Sequence, residues 1–122
     1  DWWRSIVGLR WVRGNDPDGF EKSRHPKRPY KVEVGKCRHP LCSQLQPAEL
    51  PEDEIYIDLE QTAPITTLME TTTEEGTFTM SYVTETPYKG TIACYLPGHD
   101  PEVVRHPTNV TNCRTLIDWL LA

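Results

Sequence analysis

The chain has 122 residues, enough for a single core, and is 37% hydrophobic with a quarter of its residues charged. Thirteen Lys and Arg against eighteen Asp and Glu leave a net charge of -5, which disfavours a module that grips nucleic acid over its whole surface. No apolar run approaches the length of a membrane-spanning helix, and eleven prolines foretell a loop-rich fold that needs covalent help.

Residues 1–29 show neither helical nor strand period. Trp2, Trp3 and Trp11, the turn Asn15-Asp16-Pro17-Asp18-Gly19 and the basic run Arg24-His25-Pro26-Lys27-Arg28-Pro29 read as an extended arm with one turn. From Tyr30 the residues Tyr30, Val32 and Val34 alternate with Lys31, Glu33 and Gly35, a half-buried strand that runs to Cys37 and stops at Pro40. Cys42 to Asp53 reads as a polar, proline-punctuated loop, and Ile55, Ile57 and Leu59 as the next strand.

Eleven of the thirty residues from Thr62 to Thr91 are threonine, a β-branched type suited to pleated surfaces. Strands are expected at Ile65 to Glu70 and Thr77 to Thr86, joined by a tip at Thr71 to Gly76. Pro87-Tyr88-Lys89-Gly90 then turns the chain into Thr91 to Leu96, where Ile92, Cys94 and Leu96 share a face taken as inward. Residues 30–98 form the hairpin core and 99–122 a C-terminal extension, in which Thr111 to Leu121 suits a helix of three turns at most.

Cys37, Cys42, Cys94 and Cys113, with the sequon Asn109-Val110-Thr111, point together to an oxidising, extracellular compartment and a glycan on Asn109. The opening Asp1-Trp2-Trp3 lacks the charged and apolar regions of a signal peptide and reads as a mature form. Three pairings are open. Cys37 to Cys94 with Cys42 to Cys113 is the favoured one, because both Cys37 and Cys94 end inward strand positions and a loop spanning 57 positions stabilises by about 4 kcal/mol on chain-entropy grounds. Zinc on Cys37, His39 and Cys42 lacks a second knuckle, and no metal or cofactor is expected. His25, His39, His99 and His106 fall in no hydrolase pattern, and even a pairing of His39 with His99 is a poor acid/base candidate, so no catalytic residues are expected.

Arg4-Ser5, Trp11, Asn15-Asp16-Pro17 and Phe20, followed by Lys36-Cys37-Arg38-His39-Pro40-Leu41-Cys42, resemble the interleukin-17 cytokine family, whose members carry K-C-R-H-x-x-C after a similar upstream order. Ala63-Pro64-Ile65 and Thr91-Ile92-Ala93-Cys94 match that family more loosely, so the resemblance covers residues 4 to 98. Leu96 stands where the family has a further cysteine, and Glu21 to Arg28 is an insertion.

The resemblance implies an all-β, cystine-knot-like cytokine fold of paired antiparallel hairpins. It also implies a non-covalent homodimer and a cell-surface receptor of interleukin-17-receptor type, bound near Trp11, Asn15, Asp16, Pro17 and Phe20. The rival readings are an immunoglobulin-like extracellular module, which lacks the usual core Trp and the Tyr two residues before Cys94, and a small disulfide-stapled hydrolase or inhibitor.

Overall fold

A computed structural model describes residues 2–14 and 19–122, so Asn15, Asp16 and Pro17 lie outside the described residues. Among the described residues seven strands and two α-helices follow in order: β1 (Leu9–Arg10), β2 (Lys27–Val34), β3 (Ala48–Glu54), β4 (Glu60–Gln61), β5 (Thr66–Thr73), β6 (Gly76–Glu85), β7 (Thr91–Tyr95), α1 (Pro101–Val104) and α2 (Pro107–Leu121). Five strands form one antiparallel sheet in the order β3-β2-β5-β6-β7, and β1 pairs with β4 beside it.

The period-2 segments that start at Tyr30, Thr77 and Thr91 form strands as expected. In β2, Tyr30 and Val32 are buried while Lys31 and Glu33 face water. Pro29, which has no N–H for the ladder, sits where the register with β3 shifts between Arg28 and Tyr30. The hairpin tip is tighter than the Thr71 to Gly76 segment predicts. β5 and β6 pair out to Thr73 and Gly76, leaving Glu74 and Glu75 as the turn, with Gly76 at φ 138°. Threonine hydroxyls close pairs across this hairpin, Thr67 with Thr79 and Thr72 with Thr77, each at 2.9 Å.

Part of the arm expected over residues 1–29 is strand, since β1 lies within it and β2 begins at Lys27, and two later segments also differ from expectation. Ala48–Glu54 is an edge strand, not a loop: Ala48 and Leu50 are buried, and Pro51 is tolerated because the outer side of an edge needs no donor. Ile55 to Leu59 keeps its alternation in burial, with Ile55 and Ile57 in the core, but joins no sheet. Its N–H groups bond the carbonyls of Pro26 and Arg24 at 2.9 Å, and Asp58 at φ 58° ends the run.

α2 is longer than three turns, spanning 15 residues, and starts before Thr111. Its cap is His106, whose Nδ1 accepts the Thr108 N–H at 3.3 Å, with Pro107 in the first turn, where no donor is missed. The same His-Pro device opens the 3-10 turn Pro40–Ser43, where His39 Nδ1 accepts the Leu41 N–H at 3.2 Å.

The sheet is covered on both faces. Cross-strand partners Ser81 and Tyr95 share the face covered by α2, since the Tyr95 hydroxyl donates to Asn109 Oδ1 at 2.7 Å. Tyr82 and Cys94 share the opposite face, where the Tyr82 hydroxyl donates to the Val7 carbonyl at 2.6 Å. The main cluster includes Val32, Leu41, Leu45, Leu68, Met80, Val103 and Leu116.

The cysteine pairing departs from the favoured one. Cys37 bonds to Cys42 across a Cα separation of 6.4 Å, enclosing the start of the 3-10 turn, while Cys94 and Cys113 are free. The strand order explains this: β5 and β6 lie between β2 and β7, and at about 4.8 Å per strand the gap exceeds the Cα reach of a disulfide, about 4.4–6.8 Å. Cys94, taken as inward, faces the arm side beside Tyr82, and burial pushes its thiol up. The architecture is mostly antiparallel β with a C-terminal helix, and its single short bridge does not form a cystine knot.

Candidate interaction surface

The arm is pinned to the sheet at a few points. Gly8 adopts φ 84° directly on Tyr82, where a Cβ would meet the ring and Ile65 at 2.9 Å, so only glycine lets the chain come this close. The flanking backbone is fixed by the Tyr82 hydroxyl, which accepts from the Leu9 N–H at 3.3 Å as well as donating to Val7. Further along, the buried Ser23 hydroxyl accepts the Val12 N–H at 2.8 Å and donates to the Asp58 carbonyl at 3.0 Å.

The register of β1 on β4 sets Arg10 opposite Glu60. The Glu60 carboxylate is almost wholly enclosed between two guanidinium groups. Arg4 Nε donates to its two oxygens at 3.0 and 3.2 Å, a second Arg4 nitrogen also bonds it, and Arg10 Nε donates at 2.6 Å. The Arg4 hydrogen bonds, and then those of Arg10, hold the Glu60 carboxyl below the usual carboxylate range against the opposing effect of its burial.

Arg4 in turn lies over the Phe20 ring, 5.6 Å from its centroid. Trp2 and Trp3, on the same turn of chain as Arg4, are 66% and 52% exposed, and Phe20 is exposed too. Arg4, Ser5, Phe20, Glu60, Gln61 and Thr62 line an open hollow of about 520 Å³ between them. Aromatic and Arg side chains held rigidly at a surface are the composition of a protein-binding hot spot.

The residues expected at a receptor face are thus divided. Phe20 belongs to this corner, whereas Trp11 packs elsewhere, with His25 at 5.8 Å and Tyr56 edge-on at 5.7 Å. Trp2 and Trp3, arm aromatics that could cover either the sheet or a partner, are exposed beside it, and Arg4 and Glu60 join it. The clustered Trp pair was a visible signal, but the Glu60 clamp depends on a register that no local pattern announces.

Other sequence candidates find structural roles. Much of the basic run meets acidic groups within the chain: Arg24 pairs with Asp58 at 2.5 Å, Arg28 with Glu74 and Glu75, and His25 Nδ1 lies 3.6 Å from Glu54. His39 stacks edge-on against Trp119 at 5.0 Å, and His99 lies among Asp53, Glu54 and Asp100, so the two histidines have separate surroundings.

Asp53, His99 and Asp100 bring donor atoms close together, yet the buried Asp53 carboxylate already accepts three backbone N–H bonds, from Glu54, His99 and Asp100. It fastens the loop before α1 to β3. The Cys37–Cys42 bond removes the thiolates a zinc site would use.

Asn109, where a glycan was expected, is buried in this fold: its Nδ2 donates to the Val103 carbonyl at 2.8 Å and its Oδ1 accepts from Tyr95. A second groove, of about 700 Å³, runs between Trp119, His39, Pro64, Val83 and Pro87. Comparison of the chain with protein-family models, with curated proteins and with solved structures finds no match.

Proposed function

We propose that this chain is a secreted protein ligand that binds a cell-surface receptor through the corner formed by Trp2, Trp3, Arg4 and Phe20. The observation that carries the reading is the Arg4–Glu60–Arg10 clamp: it fixes a cation and an exposed ring in one orientation, and pre-ordering lowers the entropy lost on binding. Two exposed tryptophans beside that clamp supply the apolar area.

The specific form of the proposal is an interleukin-17-type cytokine that acts as a homodimer on a receptor of interleukin-17-receptor type, and it is supported by the Lys36 to Cys42 run. Two-fold symmetry would present the corner twice and so draw two receptors together. A cystine-knot-like version of the fold would require Cys37 bonded to Cys94 and Cys42 to Cys113 in place of the Cys37–Cys42 bridge, which non-reducing peptide mapping of the purified protein reads directly.

The test of the function is surface-bound receptor ectodomain of that family, titrated with the native chain and with Trp3→Ala and Arg4→Ala. Saturable binding that weakens about tenfold or more in either variant supports the proposal, and binding that neither variant disturbs removes the corner from it. An absence of binding to every such ectodomain removes the cytokine reading.

A further inference from the structure

The two edges of the five-stranded sheet are built differently. β3 carries Pro51 and the carboxylates of Glu49, Glu52, Asp53 and Glu54, and the loop before α1 is tied across it through Asp53. These are the usual protections against edge-to-edge pairing. β7, Thr-Ile-Ala-Cys-Tyr, has no charge, no proline and no bulge, and among the described residues no strand lies beyond it.

The direction of its free groups follows from the ladder. Leu96 N–H bonds the Met80 carbonyl and Thr86 N–H the Gly90 carbonyl, which makes Tyr82 with Cys94 and Thr84 with Ile92 the hydrogen-bonded pairs between them. Thr91, Ala93 and Tyr95 therefore aim their N–H and C=O groups outward, along an unpaired rim.

α2 lies on this same strand, with Asn109 and Asn112 both bonded to the Tyr95 hydroxyl. Its inward residues are Asn109, Asn112, Leu116 and Trp119. One position further round is a second stripe, Val110, Cys113, Ile117 and Leu120, with the 3-4-3 spacing of a helix-packing seam. Val110, Ile117 and Leu120 are exposed, as is Leu121, and Cys113 is an unbonded thiol. The stripe adjoins Asn109 and Asn112, the two helix residues that meet Tyr95 of β7.

We propose that a second copy of this chain docks here, β7 against β7 in antiparallel register, with the two α2 stripes meeting on one face of a continuous ten-stranded sheet. The occupant is a second copy because the surface complements itself. An uncharged strand meets its own image without repulsion, whereas β3 would set carboxylate against carboxylate. A five-residue strand pair alone falls short of the roughly 1,200 Å² that stable interfaces bury, and the adjoining helix stripe supplies the apolar remainder. The proposal rests on the dimeric reading given above and adds the surface to it.

The experiment is sedimentation equilibrium of the full chain at micromolar concentration, with Thr91→Pro and Ile117→Lys as variants. Both residues are exposed, and the Thr91 N–H points outward, so neither change touches the ladder or the core. Circular dichroism checks that each variant is folded, and either one alone decides the matter.

A native dimer whose dissociation constant rises about tenfold or more in a folded variant supports the surface. A native dimer unaffected by both variants overturns this surface while leaving the dimeric reading intact. A native monomer, including one whose edge accepts an extended strand of another protein, overturns both.

Discussion

The sheet is covered on its two faces by opposite means. On one, α2 brings a regular row of side chains, and Leu116 joins Leu41, Leu45 and Val103 in the main cluster. On the other, an irregular arm with no period is held by single polar contacts: Tyr82 to Val7 and Leu9, Ser23 to Val12 and Asp58, and Glu60 to Arg4 and Arg10. A periodic element spreads its stabilisation over many small apolar contacts, whereas an aperiodic one concentrates it in a few groups whose loss releases a whole stretch. The surface proposed for recognition sits on the second kind.

The helix face is broken most effectively at Asn112. Its Oδ1 accepts the Gln46 N–H at 2.9 Å, and its Nδ2 donates to the Gln46 carbonyl at 2.8 Å and to Tyr95 at 3.3 Å. Asn112→Leu leaves those partners unmatched beside a buried apolar side chain, and we expect a loss of about 1–3 kcal/mol in urea-induced unfolding. The disulfide on this face does less: reduction of Cys37–Cys42, or the double change to serine, should cost no more than about 2 kcal/mol because the ring is short, again read by urea.

The arm face should respond locally. Tyr82→Phe removes the hydroxyl between Val7 and Leu9 and is expected to cost about 1–2 kcal/mol. Its mark is hydrogen exchange that quickens in residues 2–12 while α2 stays protected, and uniform quickening would contradict the division between faces.

The smallest effect depends on pH. Because the Glu60 carboxyl is held low in the folded chain, its contribution is complete above the usual carboxylate range and is lost as pH falls through the lowered value. Limited proteolysis of the arm should therefore accelerate on acidification, and Glu60→Gln should flatten that dependence.

Most of the sheet was legible because its strands carry a two-residue period that burial enforces: β2, the threonine hairpin and β7 lie where the alternation puts them. β3 was hidden because Pro51 and four acidic residues look like a loop, and an edge strand can carry both. The helix was visible in part, its His106-Pro107 start masked by a capping residue outside the usual set. The cysteine pairing failed for a different reason. Loop entropy rewards distant partners, but strand order decides which thiols can meet, and that order is a non-local property. Of the recognition corner, the tryptophans and Phe20 were visible as aromatics needing a neighbour, while Glu60 gained its meaning only when β4 brought it against Arg10.

Asn109 makes the order of events in biosynthesis matter. Its amide can be a sugar acceptor only while the chain is open, and the folded core uses both of its amide atoms, so modification and folding exclude one another at this residue. A host that glycosylates the emerging chain would divert part of it away from the native state. Thr111→Ala, which abolishes the acceptor signal and leaves Asn109 in place, should raise the yield of folded protein from such a host and leave the yield from a non-glycosylating one unchanged.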